Sequence, residues 1–186
     1  MQPRRLLALA AVAALVPVLS ACGNKEAHTK IADTEGIYVD VGGLNYQVQI
    51  SRQLNPTIPE DKTFLSGVAD PQIDADQEWF AVFIRVQNDF KKAARSATRY
   101  EIVDTQGDAY RPVAIDDRVN PFGYRAGTVT PGEVVPGPDT VPAQTSIGGL
   151  ELLFKIPRAS TDNRPLVLEI RSPTNPRDVG EVDLDV

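Results

Sequence analysis

Leu44-Asn45-Tyr46-Gln47-Val48-Gln49-Ile50-Ser51 sets Leu44, Tyr46, Val48 and Ile50 against Asn45, Gln47, Gln49 and Ser51 in strict alternation. A period of two marks a strand with one buried face. Further on, Trp79-Phe80-Ala81-Val82-Phe83-Ile84-Arg85-Val86 is apolar on both faces, with Phe80, Val82, Ile84 and Val86 on one side. Periodicity alone does not separate a central strand from a buried helix here; the β-branched and aromatic content favours the strand. Working outward, Ile37 to Val41 precedes the first strand across Gly42-Gly43. Tyr100 and Ile102 lead into the turn Asp104-Thr105-Gln106-Gly107, and Tyr110 to Val113 returns, with Pro112 marking a sheet edge. Leu150, Leu152, Phe154 and Ile156 alternate up to Pro157; Leu166, Leu168 and Ile170 follow Asp162-Asn163-Arg164-Pro165; Val182, Leu184 and Val186 close the chain. Lys91 to Thr98 has room for one helical turn but no apolar stripe. Short alternating strands with regular turn signals predict an all-β, immunoglobulin-like antiparallel β-sandwich of seven to eight strands over residues 37–186.

The residues before that body read as an address. Arg4 and Arg5 precede Leu6 to Val18, thirteen residues without a charge. As a helix they span about 20 Å, short of a hydrocarbon core of roughly 30 Å but right for a signal-peptide apolar region. Leu19, Ser20 and Ala21 then lead to Cys22 in the pattern of a lipobox, whose cysteine takes a diacylglyceryl group and becomes the mature N-terminus; Cys22 is the only cysteine. The predicted organisation is a signal peptide over 1–21, a lipidated N-terminus and polar tether over 22–36, and the sandwich. Removing residues 1–21 takes away two arginines and no acid, so the formal charge of −6 becomes −8. The expected location is the extracytoplasmic face of the cell membrane, held by the lipid.

Two connections are longer than a minimal sandwich needs: Asn55 to Gln77, and Val113 to Ile147 with five prolines and four glycines. Loops of that length are uncommon and often carry function. The second is expected to pack over one edge, anchored by Phe122 and Tyr124, or to present a recognition surface. Trp79 and Phe83 share the second face of the central strand; covered by the loop they are core, and left open they form a partner-binding patch with Phe122 and Tyr124.

Four stretches together carry a resemblance: the lipobox, Trp79 to Asn88, the loop Asn120-Pro121-Phe122-Gly123-Tyr124, and Gly149 to Pro157. With them the chain resembles the actinobacterial membrane lipoproteins that carry a single immunoglobulin-like extracellular domain, a wider group that includes small secreted mycobacterial antigens. The resemblance implies a cell-envelope sandwich and supplies no active-site residues.

The chemistry legible in the sequence is sparse. The single histidine, His28, lies in the predicted tether, outside the folded domain, so no Ser–His–Asp arrangement or histidine-held metal is expected there. One cysteine excludes a disulfide framework and a multi-thiolate site. An acidic chain is a poor candidate for nucleic-acid binding, which needs a basic face. The carboxylate pairs Asp74 and Asp76, Asp116 and Asp117, and Asp183 and Asp185 are read as solvated surface, with a calcium site or a paired-carboxylate hydrolase as the rival readings. No cofactor, metal or catalysis is expected. The reading is a lipid-anchored module that binds another envelope component, protein or otherwise; the alternative is an accessory or solute-binding subunit of a membrane transport system.

Overall fold

A computed structural model describes residues 29–185. Two sheets face each other. The first has the order β10-β4-β3-β2, from Tyr38–Val41 (β2), Leu44–Leu54 (β3), Gln77–Gln87 (β4) and Leu150–Pro157 (β10). The second has the order β1-β12-β11-β6-β7, from Ile31–Ala32 (β1), Arg99–Val103 (β6), Ala109–Tyr110 (β7), Leu166–Arg171 (β11) and Val179–Leu184 (β12). Ala94–Arg95 (β5) pairs with Thr128–Val129 (β8), and Val134–Val135 (β9) pairs with the end of β4. Seven of these strands have four residues or more, and among those seven every pairing is antiparallel. This is the sandwich that the alternation predicts.

The core between the sheets takes Leu44, Tyr46 and Val48 from β3, and Phe80, Val82, Ile84 and Val86 from β4. The Tyr46 ring is buried, and its hydroxyl accepts a 2.8 Å hydrogen bond from the Ala97 N–H. Ile50 departs from the sequence reading. A bulge between Val48 and Ile50 shifts the register against β4, so Ile50 sits on the outer face, 37% exposed. One extra residue reverses every side chain beyond it. Ser51 therefore faces inward, and Arg52 and Leu54 join the outer face.

The sandwich begins before the predicted boundary at residue 37. Ile31 and Ala32 pair in parallel with Glu181 and Val182, Ala32 is buried, and Lys30 is salt-bridged to Asp178. Residues 29–36 thus belong to the sandwich; a two-residue strand is too short for periodicity to reveal. The lipobox Leu19, Ser20, Ala21 and Cys22 lies outside the described residues, as does Val186. β12 lies between β1 and β11, so Asp183 is on an interior strand of its sheet and Asp185 follows just beyond its end. No helix is expected from the pattern, yet Pro59–Phe64 forms a short one (α1), with Pro at its start, Glu60 and Asp61 in the first turn, and Phe64 buried.

At Gly180 the two sheets leave no room for a side chain. A Cβ there would lie 2.5 Å from Val41 Cγ2 and 3.1 Å from Val39 Cγ2. Gly180→Ala is expected to cost about 1–3 kcal/mol in urea unfolding through overpacking, whereas Gly127→Ala, with open space around it, should stay within about 0.5 kcal/mol.

Candidate functional site

The outer face of the first sheet decides where functional groups can sit. Trp79, Ala81 and Phe83 of β4 and Leu153 of β10 point to that face, and the two long connections fold over it. Phe64 from the first connection meets Phe83 and Phe122 edge-on, each at 4.9 Å between ring centres. Trp79, Phe83 and Phe122 are 1%, 0% and 6% exposed. They form a second core, and the exposed partner-binding reading of these three does not apply. Tyr124 is half-buried; its hydroxyl donates to the Ala97 carbonyl at 2.8 Å and its ring meets Tyr100 edge-on.

Inside this second core lies a polar node absent from the sequence reading. Glu151 on β10 is 1% exposed. Its Oε2 accepts a hydrogen bond from Asn120 Nδ2 at 3.1 Å, and its Oε1 has no partner among the described residues. Burial raises the carboxyl's pKa from 4.5 to about 8, against the lowering pull of the Asn120 bond and the Arg52 charge. Asn120 Nδ2 also donates to the Phe64 carbonyl at 2.8 Å, while its Oδ1 accepts from the Phe122 N–H. Arg52 is salt-bridged to buried Asp61 at 2.5 Å and its guanidinium lies 5.6 Å from the Phe64 ring centre. Asp61 Oδ2 accepts from the Asn55 N–H, so α1 is fastened to the end of β3.

Residues of the node line two hollows. One, about 260 Å³, opens along the outer edge of β10, where the Val113 N–H bonds to the Leu153 carbonyl and the Tyr124 N–H to the Glu151 carbonyl; Thr98, Tyr100, Ile115 and Tyr124 line it. The other, about 470 Å³, lies at the pole formed by the end of β3 and the start of β4, and its lining includes Arg52, Asp61, Glu78, Trp79 and Arg158. Burial raises the Glu78 pKa, partly offset by the Arg158 charge and by the Gln53 Nε2 bond at 3.0 Å. Two guanidiniums and two carboxyls line this hollow, Arg52 paired with Asp61 and the Arg158 charge acting on Glu78. That balance suits a polar or zwitterionic group held by hydrogen bonds.

Two sequence signals bear on these residues. Glu151 shares its face with apolar Leu153, which marks a strand covered on both sides, and Pro59-Glu60-Asp61 is a helix-start signal. The paired carboxylates stay apart from both hollows: Asp185 accepts from the Thr34 hydroxyl, and Asp116 is paired with Arg118. Among the described residues no three His, Cys, Asp or Glu side chains gather as a metal site.

No family model matches the chain, and no curated protein matches it. Among solved structures it is similar to the yjhA protein of Bacillus subtilis, at 12% identity over 82% of this chain and 99% of that one, with a TM-score of 0.48. It is similar to the ycdA protein of the same organism, described as a candidate lipoprotein, at 10% identity over 78% of this chain but only 38% of that one, TM-score 0.48. A third likeness is to an uncharacterised β-sandwich protein of Clostridium difficile, at 10% identity over 83% and 95%, TM-score 0.43. Nothing about sites or activity is carried over from these.

The raised pKa of Glu151 has a signed consequence. A carboxyl that holds its proton to about pH 8 when folded, but releases it near 4.5 when unfolded, stabilises the fold fully below pH 4.5. That contribution is lost as pH rises to 8, on the order of 4 kcal/mol. Glu151→Gln should remove this loss: its urea midpoint, followed from pH 4 to 9, is expected to exceed the parent's on the alkaline side. Parallel profiles would refute the assignment.

Proposed function

We propose that this chain is a lipid-anchored extracytoplasmic module that binds another component of the cell envelope and carries out no chemistry, in the manner of the actinobacterial lipoproteins its motifs resemble. The observation that supports this best is the spacing between address and body. The lipobox ends at Cys22, and the sandwich is under way at Thr29, with only six residues between them. Among the described residues no helix is long and apolar enough to cross a membrane. Attachment on this reading is through the acylated sulfur, and more than one acyl chain makes such an anchor stable.

The binding part of the reading is supported by the hollow between Arg52 and Arg158. It lies at the opposite end of β3 and β4 from the point of chain entry, about 30 Å away along an eleven-residue strand. Its balanced charges favour a polar partner. Glu78 and Glu151, the two carboxyls that burial shifts upward, line different hollows and each meets a side-chain amide. This separation supports a reading of them as fixed binding groups rather than as an acid and base acting together.

Replacing Cys22 with Ala is expected to move the protein from the membrane fraction to the medium, or to leave an unprocessed precursor; unchanged acylation and fractionation would refute the anchor. In-cell crosslinking is expected to give a discrete envelope adduct that Arg158→Glu weakens. An adduct pattern indifferent to that charge reversal would count against this hollow as the contact, and a transport-complex adduct would favour the alternative reading.

A further inference from the structure

The strand register collects one set of features at a single pole. Val41 pairs with Leu44, Asn45 with Gln87, and Arg171 with both Arg99 and Val179, while Ile31 pairs with Glu181. The Gly42 N–H, donating to Asp178 at 2.8 Å, ties the two sheets together there. The chain therefore enters the sandwich beside the Gly42-Gly43 turn and the loops 88–98, 130–133 and 172–178.

Charge is unevenly divided between this pole and the rest. Residues 29–30, 40–44, 88–99, 130–133 and 172–178 hold six basic and four acidic side chains; the other described residues hold ten basic and twenty acidic. The acids at the pole are largely engaged locally: Asp178 by Lys30 and Gly42, Asp89 by Asn45 and Gln87, and Glu133 by Thr130. Lys91, Lys92, Arg95 and Arg99 are all exposed, and no acid lies between them in the chain. They are also held in place. Asn88, fully buried, donates to the carbonyls of Lys92 and Val129 at 2.9 and 2.8 Å, and Arg95 pairs with Thr128 in the small sheet.

We propose that this pole rests on the anionic phospholipid surface that holds the anchor, with Lys91, Lys92, Arg95 and Arg99 as its contact residues. The proposal rests on the reading of Cys22 as the anchor. Seven Cα–Cα steps separate Cys22 from Thr29, so the pole lies within about 25 Å of the sulfur-bearing residue whatever path the chain takes. Each basic residue at an anionic surface favours contact roughly fivefold, so four together bias the orientation on the order of several hundredfold. The acidic remainder is repelled from the same surface, and both forces turn the hollow between Arg52 and Arg158 outward.

The test couples the mature chain, residues 22–186, through Cys22 to a maleimide lipid. It is placed in vesicles of phosphatidylcholine alone or mixed with phosphatidylglycerol, and backbone hydrogen exchange is followed. Segment 88–99 is expected to exchange several-fold more slowly on the anionic vesicles only, with segment 157–165 unchanged. The protection should vanish in about 1 M salt, where the Debye length is about 3 Å, and in the triple variant K91E/K92E/R95E. Equal protection on neutral vesicles, protection of both segments, or none at either would overturn the proposal. Because coupling supplies the tether chemically, the result does not depend on whether cells acylate Cys22, which the mass of the membrane-extracted protein reports separately.

Discussion

A strand buried on both faces is the constraint from which the rest of this molecule follows. β4 fills the inter-sheet core with Phe80, Val82, Ile84 and Val86, and sends Trp79, Ala81 and Phe83 to the other side. Left open, that second side would expose an indole and a phenyl ring, each worth roughly 1.5–3 kcal/mol when buried. A two-layer sandwich has no third layer to cover them. The long connections supply it, bringing Phe64 and Phe122 onto the sheet. Their length is explained by the area to be covered, and the proline-rich segment is structural over this part of its course.

Covering a sheet with irregular chain creates a second difficulty, since backbone polar groups in a loop lack a ladder to satisfy them. Two asparagines answer it in the same way. Asn88 accepts from the Phe90 N–H and Asn120 from the Phe122 N–H, each closing a turn on the residue two places on. Each then donates from its amide nitrogen to more distant carbonyls: Lys92 of the same loop and Val129 in one case, Phe64 in the other. Both are fully buried. A buried amide is costly unless its hydrogen bonds are made, so these side chains fix the loops as well as tying them. One holds the basic loop at the pole of chain entry, and the other holds the covering loop beside Glu151.

The layers were legible because alternation reports directly which residues face a core. Leu44 to Val48 and Phe80 to Val86 point as their pattern says. What pattern cannot carry is an event of one residue, such as the bulge before Ile50, or a pairing of two, such as Ile31 and Ala32 beside β12. The buried node escaped for a different reason. Glu151 reads as the outward member of an alternating strand, and only the presence of a covering loop, supplied by residues some thirty positions away, turns that outward face into an interior. Arg52 and Asp61 are likewise brought together by a bulge and a six-residue helix, neither of which has a periodic signature. Trp79 and Phe83 show the converse: their apolar character was plain, but whether the face was open or covered depended on tertiary contacts.

Net charge alone would misjudge how such a body behaves near a membrane. On the proposed anchoring, a mature chain of formal charge −8 is tethered by a few residues to an anionic surface, and an even spread of that charge would push it away. The acids are instead concentrated away from the entry pole, where four exposed cations sit on a loop pinned by Asn88 and at the start of the strand that follows it. The entry pole then carries a net positive charge while the rest of the described body is net negative. Attraction falls off within a Debye length of about 8 Å at physiological salt, so it acts only on the near pole. The far pole, some 30 Å away along β4, is left with its acids and its balanced hollow in the aqueous phase. The same strand that dictates the covering loops therefore also sets the distance between the end that meets lipid and the end that is free to meet a partner.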